Sequence, residues 1–182
     1  GINTTEEIWK LAALAGLGRA AFDQAVADND LKSWILQQQQ ADQAELQAAY
    51  QKGETLKGQG QYAEAIKEYE RAVVLATRVF GESDLVTAGC IRNLAELYVT
   101  LGQYAKAEPL YLKAMDICKE VLGEKDRDFA NSLNNLAILY NAQGQYAKAE
   151  PLCQKALDIR KEVVGEKHPD VANSLNALAG LY

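Results

Sequence analysis

Cysteine and histidine side chains are few in this chain of 182 residues, and they stand far apart. Cys90, Cys118 and Cys153 form no CxxC pair, and His168 is the single histidine. Zinc and related ions take three or four such ligands at close spacing, so no metal site is expected. An odd number of cysteines without motif spacing reads as reduced thiols, which suits a cytoplasmic protein. His168 stands before Pro169-Asp170 and reads as an exposed loop residue, with Asp170 as the N-cap of a following helix. No nucleophile–base pair or phosphate loop is visible, so the expectation is no catalytic residue, no cofactor and no enzyme activity.

The chemistry the chain does repeat is that of the amide. The stretch NSLNNLAILYNAQGQYAKAEPL, from Asn131 to Leu152, places Asn131, Asn134, Asn135 and Asn141 on one helical segment. Asparagine is a poor helix-interior residue because its side chain competes for local backbone bonds. A carboxamide supplies donors and an acceptor together. That combination suits the alternating N–H and C=O groups of an extended peptide, whatever its sequence.

Bulk properties narrow the class of partner. The formal charge is −6 and the pI is about 4.9, whereas nucleic acid and anionic membrane both call for a basic face. Neither is therefore an expected partner. No run approaches the ~18 apolar residues of a membrane span. The start, GINTTEEIWK, lacks a basic region leading into an apolar run, so no secretory signal is read there.

The elements that must position the amides come from an internal repeat. Gly-Gln-Tyr occurs at 60–62, 102–104 and 144–146, a spacing of 42 each time, and Gly-Glu follows in phase at 81–82, 123–124 and 165–166. Gly102–Asp128 matches Gly144–Asp170 at 20 of 27 positions, which is duplication. Each unit reads as two helices. The first covers Leu85–Leu101 and Phe129–Gln143, with Ile91, Leu94, Ala95 and Tyr98, then Leu133, Leu136, Ala137 and Tyr140, at helical spacing. The second covers Tyr104–Leu122 and Tyr146–Val164. Glycines at 102, 144, 123 and 165 end them. Ala95, Ala107 and Ala114 sit where helix axes approach, with Tyr98 and Tyr111 filling the gaps, and Ala137, Ala149, Ala156 and Tyr140 repeat the scheme. Cys153 stands in the place of Tyr111 and reads as a buried thiol. Lys106–Glu108 and Lys148–Glu150 read as solvated outer faces of the second helices.

The order small residue, tyrosine, glycine, alanine, aromatic, alanine at Ala95, Tyr98, Gly102, Ala107, Tyr111 and Ala114 resembles the tetratricopeptide repeat. The period of 42, rather than about 34, and the connector GEKHPD at Gly165–Asp170 resemble the kinesin light chain subclass. The resemblance covers Ala44 to Tyr182. It implies an all-α fold: a right-handed superhelical solenoid of antiparallel helix pairs, with an N-terminal helical segment over residues 1–43 as a cap. The array divides as 44–84, 85–126, 127–168 and a partial repeat at 169–182. The first unit departs from the pattern, with Gly53 in the small position, Leu56 for the tyrosine and Lys52 where Leu94 and Leu136 stand later. The fourth keeps Leu175, Leu178, Ala179 and Tyr182 of a first helix. It reads as part of a longer array, or as a face that pairs with another copy.

Ahead of the array, Thr4 and Glu7 form a capping box before Ile8, Leu11 and Leu14. A short helix follows the turn at Gly16–Gly18 and stops at Asn29-Asp30. From Leu31 no breaker appears before Gly53, so one helix is expected to run from there into the first repeat. The phrase LAALAGLGRAAFDQAVAD is similar to a helical insertion of thioredoxin-fold disulfide oxidoreductases. The redox CxxC is missing, so no such activity carries over, and a helical cap is the expected role.

Stacked helix pairs line their concave face with the first helix of each pair. Removing the buried positions leaves Gly89, Arg92, Asn93, Glu96 and Val99 in the second unit. The third leaves Asn131, Asn134, Asn135, Ile138 and Asn141, and the fourth Asn173, Asn176 and Gly180. Kinesin-light-chain-like repeats use groove asparagines to hold peptides, so the resemblance assigns that role to Asn93, Asn134 and Asn135. Ala177 interrupts the series in the fourth unit. Arg92 is shaped to pair with a ligand carboxylate. The alternative is that the asparagines satisfy one another or cap neighbouring helices. The functional expectation is a protein–protein interaction module holding an extended peptide or partner helix. A self-association scaffold with a second copy, or the regulatory arm of a larger signalling protein or enzyme, are the other readings.

Overall fold

The computed structural model describes Trp9, Ala13 and residues 18–27 and 31–180. The Thr4–Glu7 capping box, Gly16, the stop at Asn29-Asp30 and Tyr182 lie outside the described residues. Eight helices make up the described structure, and their contacts divide the chain into two compact units, with the boundary between Glu82 and Ser83.

The first unit holds α1 (Arg19–Ala27), α2 (Leu31–Gly58) and α3 (Tyr62–Phe80). Helix α2 runs unbroken for 28 residues, as the lack of an early breaker predicts, and packs along α3. It also runs through residues 43 and 44 without interruption. Gly53 is the small residue of this pair for a visible reason: a Cβ there would stand 3.3 Å from the ring of Tyr69, which is fully buried. Tyr69 also donates its hydroxyl proton to Glu54. Lys52, which breaks the apolar pattern, is exposed and ion-paired to Glu68. Phe22 of α1 is buried with Trp9 edge-on at 5.1 Å.

The second unit holds α4 (Leu85–Thr100), α5 (Tyr104–Leu122), α6 (Arg127–Ala142), α7 (Tyr146–Val164) and α8 (Pro169–Ala179). Here α4 packs on α5, α6 on α7 and α7 on α8, while α5 also packs on α6. The alanines at 95, 107, 114, 137, 149 and 156 are all buried, and Tyr98, Tyr111 and Tyr140 fill the spaces beside them. Gly102, at φ +67°, lets the chain turn out of α4. The amide of Gln103 then reaches the Tyr98 carbonyl at 2.8 Å and that of Gly102 the Val99 carbonyl at 2.9 Å, closing the last carbonyls of the helix. Gly144 repeats this pattern after α6.

The helix starts correct one expectation. The capping place is held in turn by Asp84, Asp126 and His168, each 42 residues apart. His168, not Asp170, caps α8: its Nδ1 accepts from the Asp170 amide at 3.2 Å. Pro169 takes the first helical position, where its missing N–H costs nothing, and this moves the cap ahead of it. Asp170 lies in the first turn, and its carboxylate is bonded to Arg127 at 2.7 Å.

Candidate ligand-binding face

Helices α4 and α6 are the first helices of their pairs, and α8 follows them at the same place in the repeat; each buries one stripe and leaves the polar positions half-buried or exposed. Arg92, Asn93, Asn131, Asn134, Asn135 and Asn141 are half-buried. Glu96, Ile138, Asn173 and Asn176 are exposed. Among the described residues, Asn135, Asn141, Asn173 and Asn176 make no side-chain hydrogen bond. The Asn134 Oδ1 is buried and without a partner there.

Asn131 is committed within the chain. Its Nδ2 donates to Asp128 at 3.2 Å, and its Oδ1 accepts from Arg160 Nη2 at 2.8 Å. Arg160 is a buried arginine of α7, 5% exposed, whose Nη1 also donates to the Ser174 hydroxyl and the Asp170 carbonyl. Burial pushes its pKa below the ordinary arginine value, partly offset by Asp170. Sequence reading passed over Arg160. The signal lay in the duplication, where Cys118 and Ala76 hold its place in the earlier units.

Arg92 makes no ion pair among the described residues, yet its charge acts locally. Burial raises the Cys90 thiol and carries the Tyr111 hydroxyl far above its ordinary range, and the Arg92 cation opposes both shifts. Arg92 also lines a pocket of about 190 Å³ between α4, α5 and α6, with Gly89, Cys118, Asp128 and Ser132 among its walls.

The remaining reactive side chains are withdrawn. All three cysteines are buried free thiols, and burial raises the Cys153 thiol as it does Cys90. Among the described residues no group of three or more His, Cys, Asp and Glu side chains converges to hold a metal ion. No described helix is long and apolar enough to cross a membrane. The repeated lysines do more than face solvent: Lys106 lies over the Tyr98 ring at 5.2 Å and Lys148 over the Tyr140 ring at 5.0 Å. Tyr140 in turn donates to Glu108 at 2.9 Å.

The helix pairs, their small-residue seams and the glycine stops recur in a known family. The tetratricopeptide repeat model matches residues 44–120 and 128–182. The chain belongs to the tetratricopeptide repeat family. Solved structures of this repeat protein's fold include BtubC (BKLC) from P. vanneervenii, with a TM-score of 0.71 and 22% identity over 98% of this chain and 72% of that one. A protein of Podosopora anserina, described as a putative kinesin light chain with nearly identical TPR-like repeats, gives 0.65 at 20% identity, covering all of this chain and 88% of its own. A substituted form of that same protein gives 0.66 at 19% identity with the same coverage. At these identities the likeness is one of fold. No curated protein sequence matches the chain. Tetratricopeptide repeats are protein-interaction scaffolds, and the chain shares that architecture.

Proposed function

We propose that the face made by α4, α6 and α8 holds an extended segment of a partner protein. What supports this most is a row of helix-borne carboxamides at Asn135, Asn141, Asn173 and Asn176 that make no side-chain hydrogen bond among the described residues, beside Arg92, which makes no ion pair among them. Their cost to the helices is offset when they bond the N–H and C=O groups of an extended backbone. Arg92 pairs with a carboxylate of the ligand, and Ile138, 48% exposed, supplies an apolar contact. Asn131 contributes as a support, since its amide is already engaged.

A peptide library displayed on phage and selected on the chain tests this. Selected peptides are expected to bind the parent and to lose at least about tenfold, ~1.4 kcal/mol, against a folded variant carrying Arg92→Glu, Asn134→Ala and Asn135→Ala. Equal binding to that variant, or a library that yields nothing, overturns the reading. Self-association is the second reading, favoured by Leu175 of α8 at 49% exposure. A mass that rises with concentration, and falls again on Leu175→Glu, would establish it.

A further inference from the structure

The pocket beside Arg92 has a counterpart 42 residues further along, where Gly89, Cys118, Asp128 and Ser132 correspond to Asn131, Arg160, Asp170 and Ser174. At the later position a guanidinium fills the space. Arg160 reaches it from α7 and donates to the Ser174 hydroxyl, the Asp170 carbonyl and the Asn131 amide oxygen. At the earlier position Cys118 is too short to do so, and the cavity of about 190 Å³ opens where the guanidinium would lie.

Two of the three acceptor groups have counterparts in the earlier pocket, the Ser132 hydroxyl and the Asp128 carbonyl, the carbonyl already taking the Ser132 hydroxyl proton. Ser132 is 4% exposed, and its hydroxyl donates to the Asp128 carbonyl at 3.0 Å, which leaves its oxygen lone pairs to accept. The Asp128 carboxylate is the third acceptor, for a reason also visible in the duplication. Asp170 is ion-paired to Arg127, but Leu85 stands in Arg127's place in the earlier unit, and among the described residues the Asp128 carboxylate takes a single hydrogen bond, from the amide of Asn131. The charge balance agrees. The later site holds one carboxylate, Asp170, with two guanidinium groups, Arg127 and Arg160. The earlier holds one carboxylate, Asp128, with one, Arg92.

We infer that this pocket is a guanidinium subsite, which takes an arginine side chain of the segment bound along α4 and α6. The inference rests on the reading of that face as peptide-binding only for the arginine's carrier. A carboxylate is disfavoured beside the Asp128 carboxylate and the Ser132 hydroxyl oxygen, and Arg92 on the same lining is the group left to meet a carboxylate of the ligand. An ammonium is a poorer guest than a guanidinium, being more strongly hydrated and unable to fork between several acceptors.

The test uses the full chain, labelled for amide NMR, and the capped tripeptide Gly-Arg-Gly, with Gly-Lys-Gly and Gly-Glu-Gly as controls. The arginine peptide is expected to shift the amides of Gly89, Asp128 and Ser132 saturably and at least about fivefold more tightly than the lysine peptide. Cys118→Arg supplies the guanidinium from within and is expected to abolish these shifts. Ser132→Ala, a smaller change, weakens them about threefold. Absence of saturable shifts with the arginine peptide overturns the inference. So does tighter binding of the glutamate peptide at the same amides, or binding that a folded Cys118→Arg or Ser132→Ala variant leaves unchanged. Because the probe is a tripeptide, the subsite can succeed while the phage selection fails, and the reverse.

Discussion

The Oδ1 of Asn131 on α6 accepts a 2.8 Å hydrogen bond from Nη2 of Arg160 on α7. The guanidinium is buried, and its other donors find the Asp170 carbonyl and the Ser174 hydroxyl. Its Nε has no partner among the described residues. A fork from α7, with one acceptor on α6 and two on α8, therefore ties the last two repeats together.

Replacing that fork with a single ammonium keeps the desolvation cost and loses part of the bonding. Arg160→Lys is expected to lower stability by about 1–3 kcal/mol. Arg160→Met removes the buried charge with little change of volume and is expected to cost less than Lys. Urea unfolding of both variants decides it, and a lysine variant as stable as the parent would show that the fork contributes nothing.

His168 caps α8 through Nδ1, in the place that Asp84 and Asp126 hold before α4 and α6. His168→Ala is expected to cost about 1 kcal/mol, and His168→Asp to match or exceed the parent, because an aspartate accepts the same bond and also favours the helix N-terminus. Thermal unfolding of the two variants gives the order.

Glu124 accepts from both Lys119 and Lys155, which hold its carboxyl at about 2, against an ordinary 4.5. A depressed carboxylate stabilises the fold above its unfolded value, and that contribution fades as pH falls from about 4.5 toward 2. The melting temperature of Glu124→Gln is expected to lie below the parent's at pH 7 and to converge with it near pH 2. All three groups are at the surface, so added salt narrows the gap at pH 7. A gap that persists at pH 2 counts against the pairing as its source.

Two helical glycines are expected to respond to alanine in opposite directions. At Gly89 nothing lies within 4 Å of an added Cβ, so Gly89→Ala is expected to gain about 0.5–1 kcal/mol from helix propensity. At Gly53 the Cβ meets the Tyr69 ring at 3.3 Å, and that ring is buried and held by Glu54. Gly53→Ala is expected to lose about 1 kcal/mol, the overpacking exceeding the propensity gain. Chemical unfolding monitored by circular dichroism compares the pair.

The sequence alone determined the repeat of 42, the helix pairs, the glycine stops and the alanine–tyrosine seams, because each is a local signal carried by spacing along one helix or one turn. The continuous helix from Leu31 was legible for the same reason: nothing in the stretch breaks it. The cap of α8 was misplaced by two residues, since aspartate and histidine both serve and only the backbone shows which one turns toward the free N–H groups. Arg160 could be seen as the odd residue of the duplication, but its partners could not. They lie 10, 14 and 29 positions away, on α6 and α8, and meet it only when those helices pack on α7. The pocket beside Arg92 is likewise a property of three helices at once. Periodicity fixes which face of a helix is buried. Which polar groups then converge in the space between helices depends on side-chain lengths and packing distances that no single segment carries.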